Sequence, residues 1–189
     1  MPKRPVTMSR NTHVLAVAES TERVRRLTAS IEAELEGWRW RPLVAALQAC
    51  RGIQLIHAVR IVAELGDLSR FTHPRQLMAY LGLIPSEDSS GERRHQGAIT
   101  KAGNSSARRA LVEAAHAYRY RAAVTPVIAR RQSRVPKAVT DIAWKAQLRL
   151  CARFRQLSAR GVNRNKIVVA VARELAGFVW AIAQQVKPK

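Results

Sequence analysis

Apolar positions recur at helical spacing along nearly the whole chain. Residues 20 to 36 place Val24, Leu27, Ile31 and Leu35 three and four apart with Glu and Arg between them, which predicts one apolar stripe on a charged, coiled-coil-like helix. Pro42 suits a first helical turn and opens "PLVAALQAC"; "RGIQ" interrupts, and "LIHAVRIVAELG" resumes with Leu55, Val59, Val62 and Leu65 on one side. "HPRQLMAYLG" is a further short helix closed by glycine.

Asn104 is placed to cap "SSARRALVEAAHAYRYR", because its side chain can accept hydrogen bonds from the free N–H groups of the first turn. Residues 136 to 161 run from a proline to a glycine, with Trp144, Leu148, Cys151, Phe154 and Leu157 as the expected apolar face. A last apolar helix covers residues 166 to 185. No strand-length alternation and no 20 to 50 residue repeat is visible. The expected fold is all-α: six or seven helices, with a basic tail at 1–11, a helical arm at 12–40 and one domain at 41–189.

Charge changes the picture more than any single motif. The 33 Lys and Arg against 13 Asp and Glu give a formal charge of +20, and a pI of about 11.6 makes a polyanion the default partner. Hydrophobic residues form 47% of the chain, enough for a folded core rather than disorder. Cys50 and Cys151 stand far apart with no His or second Cys at ligand spacing, so no zinc site or disulfide framework is expected, and the compartment reads as reducing. "MPKRPVTMSRNT" leads into no apolar run, which argues against a secretory signal. "KIVVAVARELAGFVWAIAQQV" is broken by Arg173 and Glu174, so a buried or dimerising helix is expected and not a membrane span.

Two elements carry candidate chemistry. The glycine turn at Gly52 between two short helices has the form of a helix-hairpin-helix, in which backbone N–H groups hold a phosphate without reading sequence. The segment "IPSEDSSGERRHQGAITKAGN", residues 84–104, sets Ser89 and Ser90 beside Arg93, Arg94 and Lys101. It reads either as a solvated surface loop or as a nucleophile facing a phosphate. Further along, Lys145, Arg149 and Arg153 recur every four residues, a row of like charge that repels itself unless an anion lies alongside.

Read together, "AELGD", "RF" followed by "QLMAYLGLIP", "SSG", "GAITKAGN" and the pair Arg108–Arg109 resemble, in order, the C-terminal transposase domain of the insertion-sequence one-ten family. Members are bridge-RNA-guided serine recombinases of bacteria. The resemblance implies that Ser90, directly before Gly91, attacks a DNA phosphodiester and forms a phosphoserine link, with Ser89 as the fallback nucleophile. Arg93, Arg94, Lys101, Arg108, Arg109, Lys145, Arg149 and Arg153 are then the expected phosphate-binding cations, and Gly52, Gly91 and Gly103 the turns that let backbone approach nucleic acid.

The same resemblance implies DNA as partner, a structured bridge RNA as a second one, and a bacterial cytoplasmic, nucleoid-associated setting; the stripe at Val24, Leu27, Ile31 and Leu35 adds an expected homo-oligomer, and the broken apolar segment no membrane partner. The resemblance implies no metal or cofactor in this chain. In the family, magnesium is held by four acidic residues of an RNase H-type domain, and nothing before residue 52 resembles that domain. The family's Pro-Gly-Ile-Gly turn reads Arg51-Gly52-Ile53-Gln54 here. A second expectation therefore stands beside the enzyme: a truncated, inactive remnant that binds DNA or structured RNA by charge and shape.

Overall fold

The computed structural model describes residues 6–90 and 93–187, and divides the chain into two units, Met1–Arg41 and Pro42–Lys189. The first holds α1 (Val6–Leu35), a single long helix. Val14, Leu15, Val17, Val24 and Leu27 stay exposed along it, while Leu35 and Trp40 are buried. Its exposed charges are met locally, as in the Glu22–Arg25 pair one turn apart at 2.8 Å.

The second unit is mostly helical: α2 (Arg41–Leu47, beginning at the boundary), α3 (Leu55–Leu65), α4 (Pro74–Tyr80), α5 (Ser105–Ala115), α6 (Pro126–Gln132), α7 (Lys137–Ala159) and α8 (Arg164–Ala183). Short 3-10 turns lie at Leu68–Arg70 and His116–Arg119. The all-α expectation holds, with eight α-helices among the described residues.

The unit is built around α8, which packs against α4, α5 and α7. It buries Ile167, Val168, Val171, Ala172, Leu175, Ala176, Val179 and Ile182, a stripe too broad for one partner and matched to three. α3 lies on α5 and buries Ala58, Ile61, Val62 and Leu65; the expected face included Leu55 and Val59, which are only half-buried.

On α7 the expected face is rotated. Val139, Ala143, Ala146, Leu150, Cys151 and Phe154 are buried, whereas Trp144 and Leu148 are 39% and 48% exposed. Small alanines permit close helix packing, so Ala143 and Ala146 are inside while the bulkier Trp144 and Leu148 stay at the surface. Burial pushes the Cys50 thiol up to about 12, which leaves it a protonated, inert core residue at neutral pH.

The departure from the expected pattern is a pair of strands. β1 (Pro85–Ser90) and β2 (Arg93–Ile99) form an antiparallel hairpin where an irregular loop was expected. Its sequence is polar on both faces, so there was no alternation to read. The register pairs Pro85 with Ile99 but Glu87 with Gln96, which places one extra residue on β2 opposite Ser86. This bulge occupies Gly97–Ala98. A Cβ at Gly97 would press on Ser86 Oγ, and that hydroxyl instead donates to the Ala98 carbonyl at 3.0 Å.

Candidate nucleic-acid interface

The hairpin rises from a stapled root. α4 begins at a His73 capping box, with Arg75 N–H donating to His73 Nδ1 at 3.1 Å and Gln76 Oε1 accepting from His73 N–H at 3.4 Å and from Thr72 N–H at 2.9 Å. It ends at Gly82, whose φ of +62° lies in the left-handed region. The returning strand comes down beside it. Thr100 N–H donates to Ile84 O at 2.9 Å and Lys101 N–H to Gly82 O at 3.1 Å.

Cβ atoms at Gly82 and Gly103 would overlap the carbonyl oxygens of Ala102 and Tyr80 respectively. Gly103 is therefore glycine because two backbones touch there. Arg108 Nη1 donates to Leu81 O at 2.8 Å and Ala102 O at 3.1 Å, binding α5 to both legs of the hairpin. At least one of its nitrogens serves the fold and not a phosphate.

At the other end of the hairpin, Ser89 pairs with Arg94 and Ser90 with Arg93 across the ladder. Each serine is thus directly opposite an arginine, a placement that no spacing in the sequence required. The side chains of residues 87–96 lie outside the described residues, as does Gly91, which with Glu92 joins the strands. Lys101 is exposed and adopts φ +56°, unusual for a side-chain-bearing residue.

The remaining expected cations are more committed. Arg109 Nε lies 2.9 Å from Glu113, one turn away. His57 Nε2 reaches the same carboxylate at 3.4 Å from α3. The Arg109 hydrogen bond chiefly holds the Glu113 carboxyl below its ordinary range, against an opposing effect of burial that is second in size, with lesser help from Arg109 and His57 nearby.

Arg149 and Arg153 lie 2.7 and 3.4 Å from the two oxygens of Glu174 on α8. The anion that a row of like charge calls for is thus supplied within the fold. Lys145 is exposed one turn before them.

At the Gly52 turn, a Cβ would overlap the Ala114 carbonyl oxygen. Arg51 Nη1 donates to Arg121 O at 2.5 Å and Gln147 Oε1 at 3.0 Å, and Ile53 is fully buried. This turn packs inward on one side, while Gln54, at the start of α3, makes no side-chain cap.

Asn104 caps α5 as expected, its Oδ1 accepting from Ala107 N–H at 2.8 Å. Its Nδ2 donates to Glu64 Oε2 at 2.7 Å, and the Asn104 and Ser106 hydrogen bonds hold the Glu64 carboxyl low. Glu64 is forty residues distant in sequence, with nothing local to announce it. The same is true of Arg131, which donates to Gln48 O and Ile53 O and closes the α2–α3 turn from α6.

In sequence the chain is similar to transposases. Residues 44–132 match the model of the Transposase IS116/IS110/IS902 family, and the domain that they lie in belongs to that family. The chain is 47% identical over 175 residues to a putative transposase y4qE of Sinorhizobium fredii, covering 93% of this chain and 43% of that protein. It is 35% identical over 160 residues to a probable family 20 transposase of Pseudomonas aeruginosa, 85% of this chain and 40% of the relative. A transposase for insertion sequence element IS1111A of Coxiella burnetii is 32% identical over 136 residues, 72% of this chain and 31% of the relative. The chain spans less than half the length of these relatives. Among the described residues, no helix is long and apolar enough to cross a membrane.

Proposed function

We propose that the second unit is the serine-bearing domain of a bacterial DNA transposase. Ser90 Oγ attacks a DNA phosphorus, a P–Oγ bond forms as a bridging P–O bond breaks, and the strand remains attached as a phosphoserine ester. The hydroxyl gives up its proton and the departing sugar oxygen takes one, so the step is proton-neutral. Negative charge builds on the non-bridging oxygens, and Arg93, opposite Ser90 in the ladder, and Arg94 next to it are the cations closest in register to offset it, whereas Lys101 lies at the root of the hairpin. The observation that carries this reading is the ladder pairing of Ser89 and Ser90 with Arg94 and Arg93, inside a segment that matches a transposase family.

The polyanion implied by the +20 charge is DNA, with a structured RNA as second partner, in the bacterial cytoplasm. The exposed stripe of α1 pairs with a second copy of the chain, since a lone amphipathic helix is marginal in water. Among the described residues no three His, Cys, Asp or Glu gather as ligands of a metal.

The test is trapping on a nicked or bulged duplex, with and without a separate RNase H-type domain. Ser90→Ala should abolish the covalent protein–DNA adduct and leave salt-sensitive binding nearly intact, because Lys and Arg dominate phosphate affinity; Ser89→Ala should do much less. Adduct from the Ser90 variant refutes the assignment. Absence of adduct from the wild type with the second domain supplied leaves a module that binds nucleic acid and performs no chemistry.

A further inference from the structure

A cavity of about 530 Å³ lies between the root of the hairpin and the N-terminal half of α8. The hairpin side is Leu83, Pro85, Gly97, Ala98 and Ile99; the helix side is Asn165, Lys166, Val169, Ala170 and Arg173. Among the described residues, its walls are aliphatic, its charged lining residues are the two cations Lys166 and Arg173, and no carboxylate lines it. Glu174, next to Arg173, is engaged instead with Arg149 and Arg153.

An aliphatic floor between two cations suits an amphipathic anion. Lys166 and Arg173 are seven residues apart, on the order of 10 Å along the helix, with Val169 and Ala170 between them. One nucleotide presents the same sequence of groups: a phosphate, a flat base of low polarity on its faces, and a second phosphate. The slot also lies on the hairpin that carries the serines. From Pro85 to Ser90 a strand covers roughly 17 Å, a span of about five stacked nucleotides of one DNA strand.

We propose that this slot receives one unstacked deoxynucleotide of the DNA substrate, its base against Val169, Ala170 and Ala98 and its flanking phosphates at Lys166 and Arg173. The inference rests on DNA being the substrate, as proposed above. It adds a site separate from the serine that fixes which stretch of strand lies along the hairpin. The walls offer few groups for reading base edges, so the slot accepts any of the four bases.

The full chain is titrated with a fully paired duplex and with the same duplex carrying one unpaired deoxynucleotide, using an iodouracil label at that nucleotide for photo-crosslinking. Wild type should prefer the bulged duplex by roughly tenfold, what burying part of a base's low-polarity face on aliphatic side chains contributes, and crosslink within the peptide containing Val169 and Ala170 or at Ala98. Ala170→Trp should fill the slot, erase the preference and leave paired-duplex binding unchanged. Ala170→Leu, a smaller change, should cut the preference in part and guards against misfolding of the first variant. An undiminished preference in both variants, a crosslink elsewhere, or slot dependence seen only with an RNA strand overturns the proposal. Ser90→Ala should keep the preference while losing the adduct, so failure of the phosphoserine reading and failure of the slot are read separately.

Discussion

Two helices of this chain carry apolar stripes of similar spacing, and the fold treats them differently. α8 meets the needs of its side chains inside one unit: its apolar stripe is buried by α4, α5 and α7, and its Glu174 neutralises two arginines of α7. α1 does neither. Val14, Val17, Val24 and Leu27 are each more than half exposed, and its Glu22–Arg25 pair links one turn to the next without joining it to another element. An amphipathic pattern states that a partner surface is needed but not where it is. For α8 the partners are within the chain, and for α1 the proposed partner is a second copy.

The largest expected effect separates the two directly. Leu175 is fully buried in α8, so Leu175→Ala removes packed methyl groups and leaves a cavity, costing about 2–5 kcal/mol; a thermal or urea melt of the second unit reads it. Leu27→Ala in α1 should leave that melt within about 0.5 kcal/mol but lower the apparent mass at sedimentation equilibrium. A wild type that is monomeric at high concentration removes the self-association part. A large loss of stability from Leu27→Ala would show that α1 is part of the same cooperative core.

What was legible in the sequence follows the same division. Helix limits carried by local chemistry were visible: Asn104 at the start of α5, Pro42 in the first turn of α2, the glycine after α4. Faces settled by tertiary packing were not, because Ala143 and Ala146 outrank Trp144 for a position against α8 only once the helices touch. The serine-bearing segment was located by its residues, but its strand pairing was hidden. "PSEDSS" and "RRHQGAI" carry no alternation of apolar and polar residues, and the backbone ladder joins at a root formed by Gly82, Gly103 and Arg108. Glu174 is the clearest miss. It lies 25 residues from Arg149 and no local signal ties the two, although a row of three cations did state that an anion was required.

That miss gives the second, intermediate effect. Glu174 occupies Arg149 and Arg153, so Arg149→Ala alone should change the salt dependence of DNA binding little. Glu174→Gln should free both guanidinium groups, strengthen binding and steepen the slope of log K against log salt. Each phosphate newly contacted adds about 0.9 to the slope, so an increase of up to about 1.8 is expected. The comparison with α1 supplies the control: Glu22→Gln frees Arg25, and if it steepens the slope as much, the effect is one of net charge and the α7–α8 face is not an interface. An unchanged slope in Glu174→Gln shows that this face looks into solvent.

The smallest effect distinguishes a carboxylate that joins two helices from one that serves its own. Glu22 and Glu113 are both held below the ordinary carboxylate range, the first by its hydrogen bond to Arg25 and the second chiefly by that to Arg109. Only Glu113 also faces a residue of another helix, His57 on α3. A carboxyl whose folded pKa is depressed stabilises the fold fully above its unfolded value, near 4.5, and loses that contribution as pH falls through the lower, folded value. Melts of wild type and Glu113→Gln should therefore differ at pH 6 to 7 and converge as pH falls through the depressed folded value of the carboxyl, the wild type being the one that changes. The difference should stay under about 1 kcal/mol, since the Arg109–Glu113 pair is largely solvent-exposed. The same experiment on Glu22→Gln should show no pH-dependent difference in the melting of the second unit. If Glu113→Gln tracks the wild type throughout, the His57 contact contributes nothing to joining α3 and α5, and their packing rests on Ala58, Ile61, Val62 and the alanines of α5 alone.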